Sequence, residues 1–162
     1  MDDEVDRLVA GWRVALPEVD VSPLEVLSRI TRLARHLDRQ RSAVFARHDL
    51  ETWTFDVLSA LRRAGTPYEL SPGQLLGQTL VTSGTMTNRI DRLEERGLVR
   101  RRPDPADARS VRVRLTPSGL RQVDAALRDL VAREDAILGN LDAAERGSLA
   151  ALLRRVVAPF DG

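Results

Sequence analysis

Apolar positions recur at helical spacing along most of the chain, and the breaks between runs fall on strong start and stop residues. Val5, Leu8, Val9 and Trp12 follow i, i+3, i+4, i+7 and predict a short first helix that ends before Pro17. The stretch "VSPLE" then starts a second helix, with Ser22 as N-cap, Pro23 in the first turn and Glu25 completing a capping box. Leu24, Leu27, Ile30, Leu33, Ala34 and Leu37 carry it to about Arg47. A third helix runs from about Thr52 to Ala64 and stops at Gly65. Ser71 and Pro72 start a short helix over about 72–79, and Thr82 caps another over 83–96, closed by Gly97. Two short helices joined this tightly, the second with a polar outer face, predict a helix-turn-helix.

After Gly97 the period changes. "LVRRR", the turn-rich "PDPADAR" and the alternating "SVRVRLT" predict a β-hairpin with a charged tip. Val111, Val113 and Leu115 face one way along it, and Ser110, Arg112 and Arg114 the other. Thr116 and Pro117 start a further helix, carried to about Gly139 by Val123, Ala126, Leu127, Leu130, Val131 and Leu138. A last helix runs from about Asp142 to Ala158 on a stripe of Leu149, Leu152, Leu153, Val156 and Val157. The expected fold is mainly α with a small β-wing, a winged helix-turn-helix flanked by N- and C-terminal dimerisation helices. Residues 1–50 form the N-terminal helices, 51–115 the winged-helix DNA-binding domain and 116–162 the C-terminal dimerisation helices. Arms this apolar do not bury themselves on a domain of about 50 residues. A homodimer is expected, and two reading helices one DNA turn apart suit a palindromic site.

Composition narrows the chemistry. With 43% apolar and 30% charged residues the chain reads as a globular protein. No run approaches the roughly 18 apolar residues of a membrane span. The acidic start "MDDEVDR" is unlike a signal peptide, so no membrane association and a cytoplasmic location are expected. The absence of Cys removes disulfides and thiol sensing, and two His make a metal site an unattractive reading. No glycine-rich phosphate loop or catalytic spacing is present, so neither an enzyme nor a cofactor is expected. All 25 basic residues are Arg, and residues 66–115 hold 9 of them against 6 acids.

On a wheel of about 100° per residue, Met86, Ile90 and Leu93 fall together, with Gly84, Asn88, Asp91 and Glu95 opposite and Thr87 and Arg92 flanking. Asn and Arg pair with base edges, while Ser and Thr at a helix start hold phosphates. The bland alternative is a solvated face. Arg89 falls beside the apolar stripe and should be half-buried, either in a salt bridge to Asp91, Glu94 or another acid, or facing a cavity that takes an anion. The hairpin reads either as solvated or, functionally, with Arg109 at its tip in a minor groove, buttressed by Asp107, and Arg112 and Arg114 near phosphates. Trp12 reads as core, and Asp56 as a surface acid or salt-bridge partner.

The stretch "LSPGQLLGQTLVTSGTMTNRIDRLEERGLVRRRPDPADARSVRVRLTPSG" resembles the winged-helix core of the MarR family of regulators. The resemblance implies a homodimer that binds a palindromic operator in double-stranded DNA, usually as a repressor of a neighbouring gene, released by a small ligand. It places Ser83, Thr87, Asn88 and Arg92 in the major groove and Arg109 in the minor groove. A narrower resemblance, to urate-responsive members with an extra N-terminal helix, rests on Trp12, Asp56, Arg89 and Arg101. It implies that Arg89 faces a small anionic ligand (urate or a related purine or carboxylate), that Trp12 walls the pocket and that Asp56 passes ligand charge to the reading helix. Two rival readings stand beside it. One is a ligand-independent DNA-binding activator or architectural protein, the other a helical ligand-binding or interaction module with a vestigial wing.

Overall fold

The computed structural model describes residues 2–78, 82–105 and 110–160. They fall into two compact units, one up to Ala43 and one from Val44 onward. Val44 and Phe45, near the end of the second predicted helix, belong to the core of the second unit. Val123, Ala126 and Leu130 of the C-terminal stretch sit in that same core.

The first unit holds α1 (Glu4–Ala15) and all but the last turn of α2 (Ser22–Arg47). Asp3 caps α1 in a reciprocal box with Asp6, satisfying amides the helix leaves open. The predicted stripe divides. Val5 and Val9 are buried with Val21 against Leu24, whereas Leu8 and Trp12 remain half-exposed, Trp12 at 46%. Trp12 is therefore not a core residue of this chain. Arg29 bonds Asp3 at 2.8 Å and Asp6 at 2.6 Å, tying α1 to α2. The same guanidinium, as the leading cause, holds the Asp3 carboxyl down at about 2. The start of α2 is where the sequence puts it, but its chemistry differs. Asp20 accepts from the Ser22 amide at 3.0 Å and its hydroxyl at 3.1 Å, while Glu25 pairs with Arg13 at 2.5 Å. An Asp two positions upstream replaces the expected Ser–Glu box.

The second unit runs α3 (Thr52–Arg63), β1 (Glu69–Leu70), α4 (Pro72–Gly77), α5 (Ser83–Glu95), β2 (Val99–Pro103), β3 (Val111–Leu115), α6 (Pro117–Ile137) and α7 (Ala143–Val157). A single 3-10 turn, Ala158–Phe160, follows. The hub is α3, whose Val57, Leu58 and Leu61 are wholly buried. Side-chain caps start the other helices: Ser71 with Gln74 for α4, Thr82 for α5, Thr116 for α6 and Asp142 with Glu145 for α7. Gly97, at φ 67°, ends α5. There the Leu98 amide reaches the Leu93 carbonyl and the Gly97 amide the Glu94 carbonyl, both at 2.9 Å, and the chain enters β2.

The sheet has the order β1-β3-β2, all antiparallel, with Val99 opposite Leu115 and Pro103 opposite Val111. Val113 and Leu115 point into the core, but Val111, next to the hairpin tip, is exposed. The two-residue β1 shows no period in the sequence and pairs only through β3. Arg62 bonds Asp124 at 2.8 Å, holding α6 to the hub, and Arg47 at the end of α2 bonds Asp129 on α6 at 2.7 Å. By contrast, α7 buries none of its residues, and Leu149, Leu152, Val156 and Val157 stay exposed. Among the described residues no helix is long and apolar enough to cross a membrane.

Gly119 packs where α6 meets the start of β2. A Cβ there would lie 2.1 Å from the Leu98 carbonyl oxygen, which is backbone held in a hydrogen bond from Thr116. Gly119→Ala should therefore destabilise the protein by about 1–3 kcal/mol despite the better helix propensity of Ala. Thermal unfolding checks this, and an unchanged or raised midpoint would contradict it.

Candidate nucleic-acid interface

Burial of Met86, Ile90 and Leu93, each at 1% exposure or less, fixes the rotation of α5 about its axis. Ser83, Thr87, Asn88 and Arg92 are consequently all exposed on the outer side. Thr87 donates its hydroxyl proton to the Ser83 carbonyl at 3.2 Å, and the Thr82 cap fixes the entry turn. The Arg92 guanidinium lies 4.9 Å from the centre of the Trp53 ring and bonds Glu51 at 3.0 Å. One turn on, Arg96 pairs with Asp49. In the wing, Arg112 bonds Asp104 at 2.6 Å and Gln74 at 3.2 Å, joining the hairpin to α4. Arg112, read from sequence as a phosphate contact, thus has part of its fork taken up inside the protein. Arg109 and Asp107 lie outside the described residues.

The wing is fastened to α5 by one arginine. Arg101, on β2, donates from one guanidinium nitrogen to Glu94 at 2.6 Å and from another to Asp91 at 2.5 Å. Its backbone amide also donates to Glu94, at 2.7 Å. The backbone bond from Arg101 is the largest of the influences holding the Glu94 carboxyl below its usual range. A depression of about 330 Å³ beside this clamp is lined by Asp91, Glu94, Glu95 and Arg101. Three acids to one arginine make a poor seat for an anion. Arg101, which the resemblance to urate-responsive members implies as a ligand contact, has its charge met here by Asp91 and Glu94.

Arg89 is half-buried, as its wheel position predicts. Its companion differs from the acids considered, because Asp91 and Glu94 are held by Arg101. The Arg89 guanidinium instead stands 5.4 Å from the centre of the Trp53 ring. Asp56 is exposed one turn after Trp53 on α3, and Trp12 belongs to the other unit. The sequence reading gives Trp53 no part in the site. Its place at the start of α3 is the local signal, and its packing on the core is seen only in the structure. Among the described residues no cluster of acids and histidines could hold a metal ion.

A capped helix pair with an exposed polar face, clamped to an antiparallel wing, defines a winged-helix transcription regulator that binds DNA. The model of the MarR family matches residues 48–110. The regulator PecS of Dickeya dadantii is 37% identical over 153 residues, covering 94% of this chain and 92% of PecS. The repressor NicR of Pseudomonas putida is 32% identical, covering 86% of this chain and 89% of its own length. The solved structure of BpsR from Bordetella bronchiseptica, whose DNA binding is regulated by 6-hydroxynicotinic acid, matches 79% of this chain and 98% of that one, with TM-score 0.59 at 30% identity. The chain belongs to the MarR family. The relatives it resembles are transcription regulators, not enzymes.

The clamp has a measurable signature. Glu94→Ala removes the acceptor of the Arg101 amide and should speed its hydrogen exchange by about tenfold or more, as expected for a charge-assisted bond worth a kcal/mol or two. Because the Glu94 carboxyl titrates below its unfolded value, the clamp's contribution is present above the ordinary carboxylate range and lost as pH falls through the lowered value. An exchange rate indifferent to both the substitution and acid would contradict the assignment.

Proposed function

We propose that this protein is a homodimeric repressor that binds a palindromic operator and is released when a small anionic ligand engages Arg89. The observation that carries the reading is the combination on α5. A polar face is turned outward, and a half-buried arginine beside it has an aromatic ring, and no carboxylate among the described residues, as its companion. Such a guanidinium keeps its capacity for a bidentate bond to a carboxylate or a urate-like anion. The ligand-regulated DNA binding of BpsR and the repressor NicR support the reading by likeness.

The dimer is supported by apolar surface left open in each unit. Leu8, Trp12 and Val26 in the first unit, and Val131, Leu152 and Val156 in the second, are 44–56% exposed. Side chains of that size favour burial against a second copy. Ser83 and Thr87 serve as phosphate contacts in this reading, Asn88 and Arg92 as base readers and Arg109 as a minor-groove contact, with Arg112 bracing the wing beside them. Trp12 and Asp56 remain candidates for the ligand response. An activator or architectural protein without a ligand, and a module that binds no DNA, are excluded by the outcomes of one experiment.

The experiment is a mobility shift on DNA from the gene's own upstream region, titrated with urate and with 6-hydroxynicotinate. A specific complex should form, weaken steeply with salt as phosphate counterions are released, and dissolve on adding the effective anion. Arg109→Ala should weaken the complex and leave anion binding intact. Arg89→Ala should leave a complex that the anion no longer dissolves. Binding of DNA without response to either anion would overturn the ligand reading, and failure to bind at low salt would overturn the operator reading.

A further inference from the structure

Helix α3 opens unusually. Glu51 stands at its N-cap, yet its side chain makes no bond to the first-turn amides. The carboxylate is turned on Trp53 and Arg92 instead. One oxygen accepts from the Trp53 indole N–H, and the other accepts from Arg92 at 3.0 Å. The bond from Trp53 first, then the charge of Arg92, draw the Glu51 carboxyl below its usual range. The ring itself is shared, with the Arg89 guanidinium 5.4 Å and the Arg92 guanidinium 4.9 Å from its centre. Trp53 is packed on the core beside the wholly buried hub of α3, so the ring is a fixed support under a helix that carries both arginines.

We propose that Trp53 is a positioning residue that ties the anion-facing Arg89 to the DNA-facing Arg92. The proposal rests on the assignment of those two arginines made above. Arg89 and Arg92 stand three residues apart on α5, where like charges repel, and the electron-rich face of one indole offsets that repulsion. An anion on Arg89 neutralises one of the two charges. The repulsion falls, Arg89 withdraws toward the anion, and the ring and Glu51 hold Arg92 more firmly. Arg92 is then less available to DNA. The sign is release, as required of a repressor relieved by its ligand. A ligand shifts an equilibrium only through unequal affinity for its states, and the contest between Glu51 and DNA for Arg92 supplies that inequality.

The test measures coupling, the ratio of operator affinities without and with saturating urate or 6-hydroxynicotinate, in the full-length protein. In the native sequence it should fall within the usual range of about 5–150-fold. Trp53→Leu should bring it close to one, while anion affinity measured by calorimetry survives; Trp53→Phe, which keeps an aromatic face, should restore part of it. If Trp53→Leu does not fold, Glu51→Gln removes the brace with the ring in place and must also lower the coupling. A second readout takes the fluorescence of Trp53 as the difference between the native protein and Trp53→Phe, since the sequence holds two tryptophans. Its emission should change with anion and with DNA, Arg89→Ala abolishing the first response and Arg92→Ala the second. Full coupling in a folded Trp53→Leu protein would overturn the tie and leave the Arg89 site standing. Undiminished anion binding by Arg89→Ala would overturn the site and the tie together.

Discussion

The seating of Met86, Ile90 and Leu93 in the core governs every other contact of the reading helix. With those three side chains buried, α5 has no freedom to turn about its axis without exposing apolar surface, at a cost of about 1.5–3 kcal/mol for each such side chain fully exposed. The rotation then dictates the rest. Asn88 and Thr87 stand outward, Asp91 and Glu94 lie toward the wing, and Arg89 falls at the margin over Trp53. A single apolar stripe thus sorts the charged residues of the helix into those that meet solvent and those that meet protein. The Gly97 turn extends the same constraint into β2, because its left-handed φ lets Leu98 close the helix and Val99 enter the sheet within two residues.

Around that fixed axis the arginines are held rather than free. Arg92 has Glu51, Arg96 has Asp49, Arg101 has Asp91 and Glu94, and Arg112 has Asp104. Most of these pairs are partly exposed and individually contribute little stability. Their effect is positional. A guanidinium parked on a carboxylate keeps its side chain near one geometry, and any other anion must then compete with the acid for it. Weak, exposed pairs such as Arg92–Glu51 suit that exchange. The better-enclosed Arg101 clamp, made through both side chain and backbone, suits a joint that stays closed.

What the sequence made legible follows the range of the interaction. Caps act over three residues and stripes over four, so the starts of α4, α5 and α6 and the inward face of α5 could be read directly. The Ser22 start was placed correctly for an incomplete reason, because Asp20 competes for the same amide and no local rule ranks the two. The misses are contacts across the fold. Glu51 lies 41 residues from Arg92, and Gln74 lies 38 from Arg112. Two residues of β1 carry no period, and they become a strand only because β3 offers an edge. The wheel put Arg89 half-buried and left its partner open, since a wheel gives direction and says nothing of the neighbouring helix. Acids were considered as that partner, yet an indole face meets the same electrostatic need without a second charge.

The same geometry limits how a ligand can act. Large rotation of α5 is opposed by its buried stripe, and separation of wing from helix is opposed by the Arg101 clamp. What remains cheap is rearrangement of exposed side chains and rigid-body movement of the whole reading head. Allosteric couplings of about 1–3 kcal/mol are typical, less than the cost of unseating the stripe and comparable with remaking a few exposed ion pairs. On the reading proposed above, a response of that size belongs at the rim of α5, where Arg89, Trp53, Glu51 and Arg92 meet, rather than in its core. In a dimer the argument gains force, because two heads must reach one operator together, so a small bias in each is applied twice to the same equilibrium.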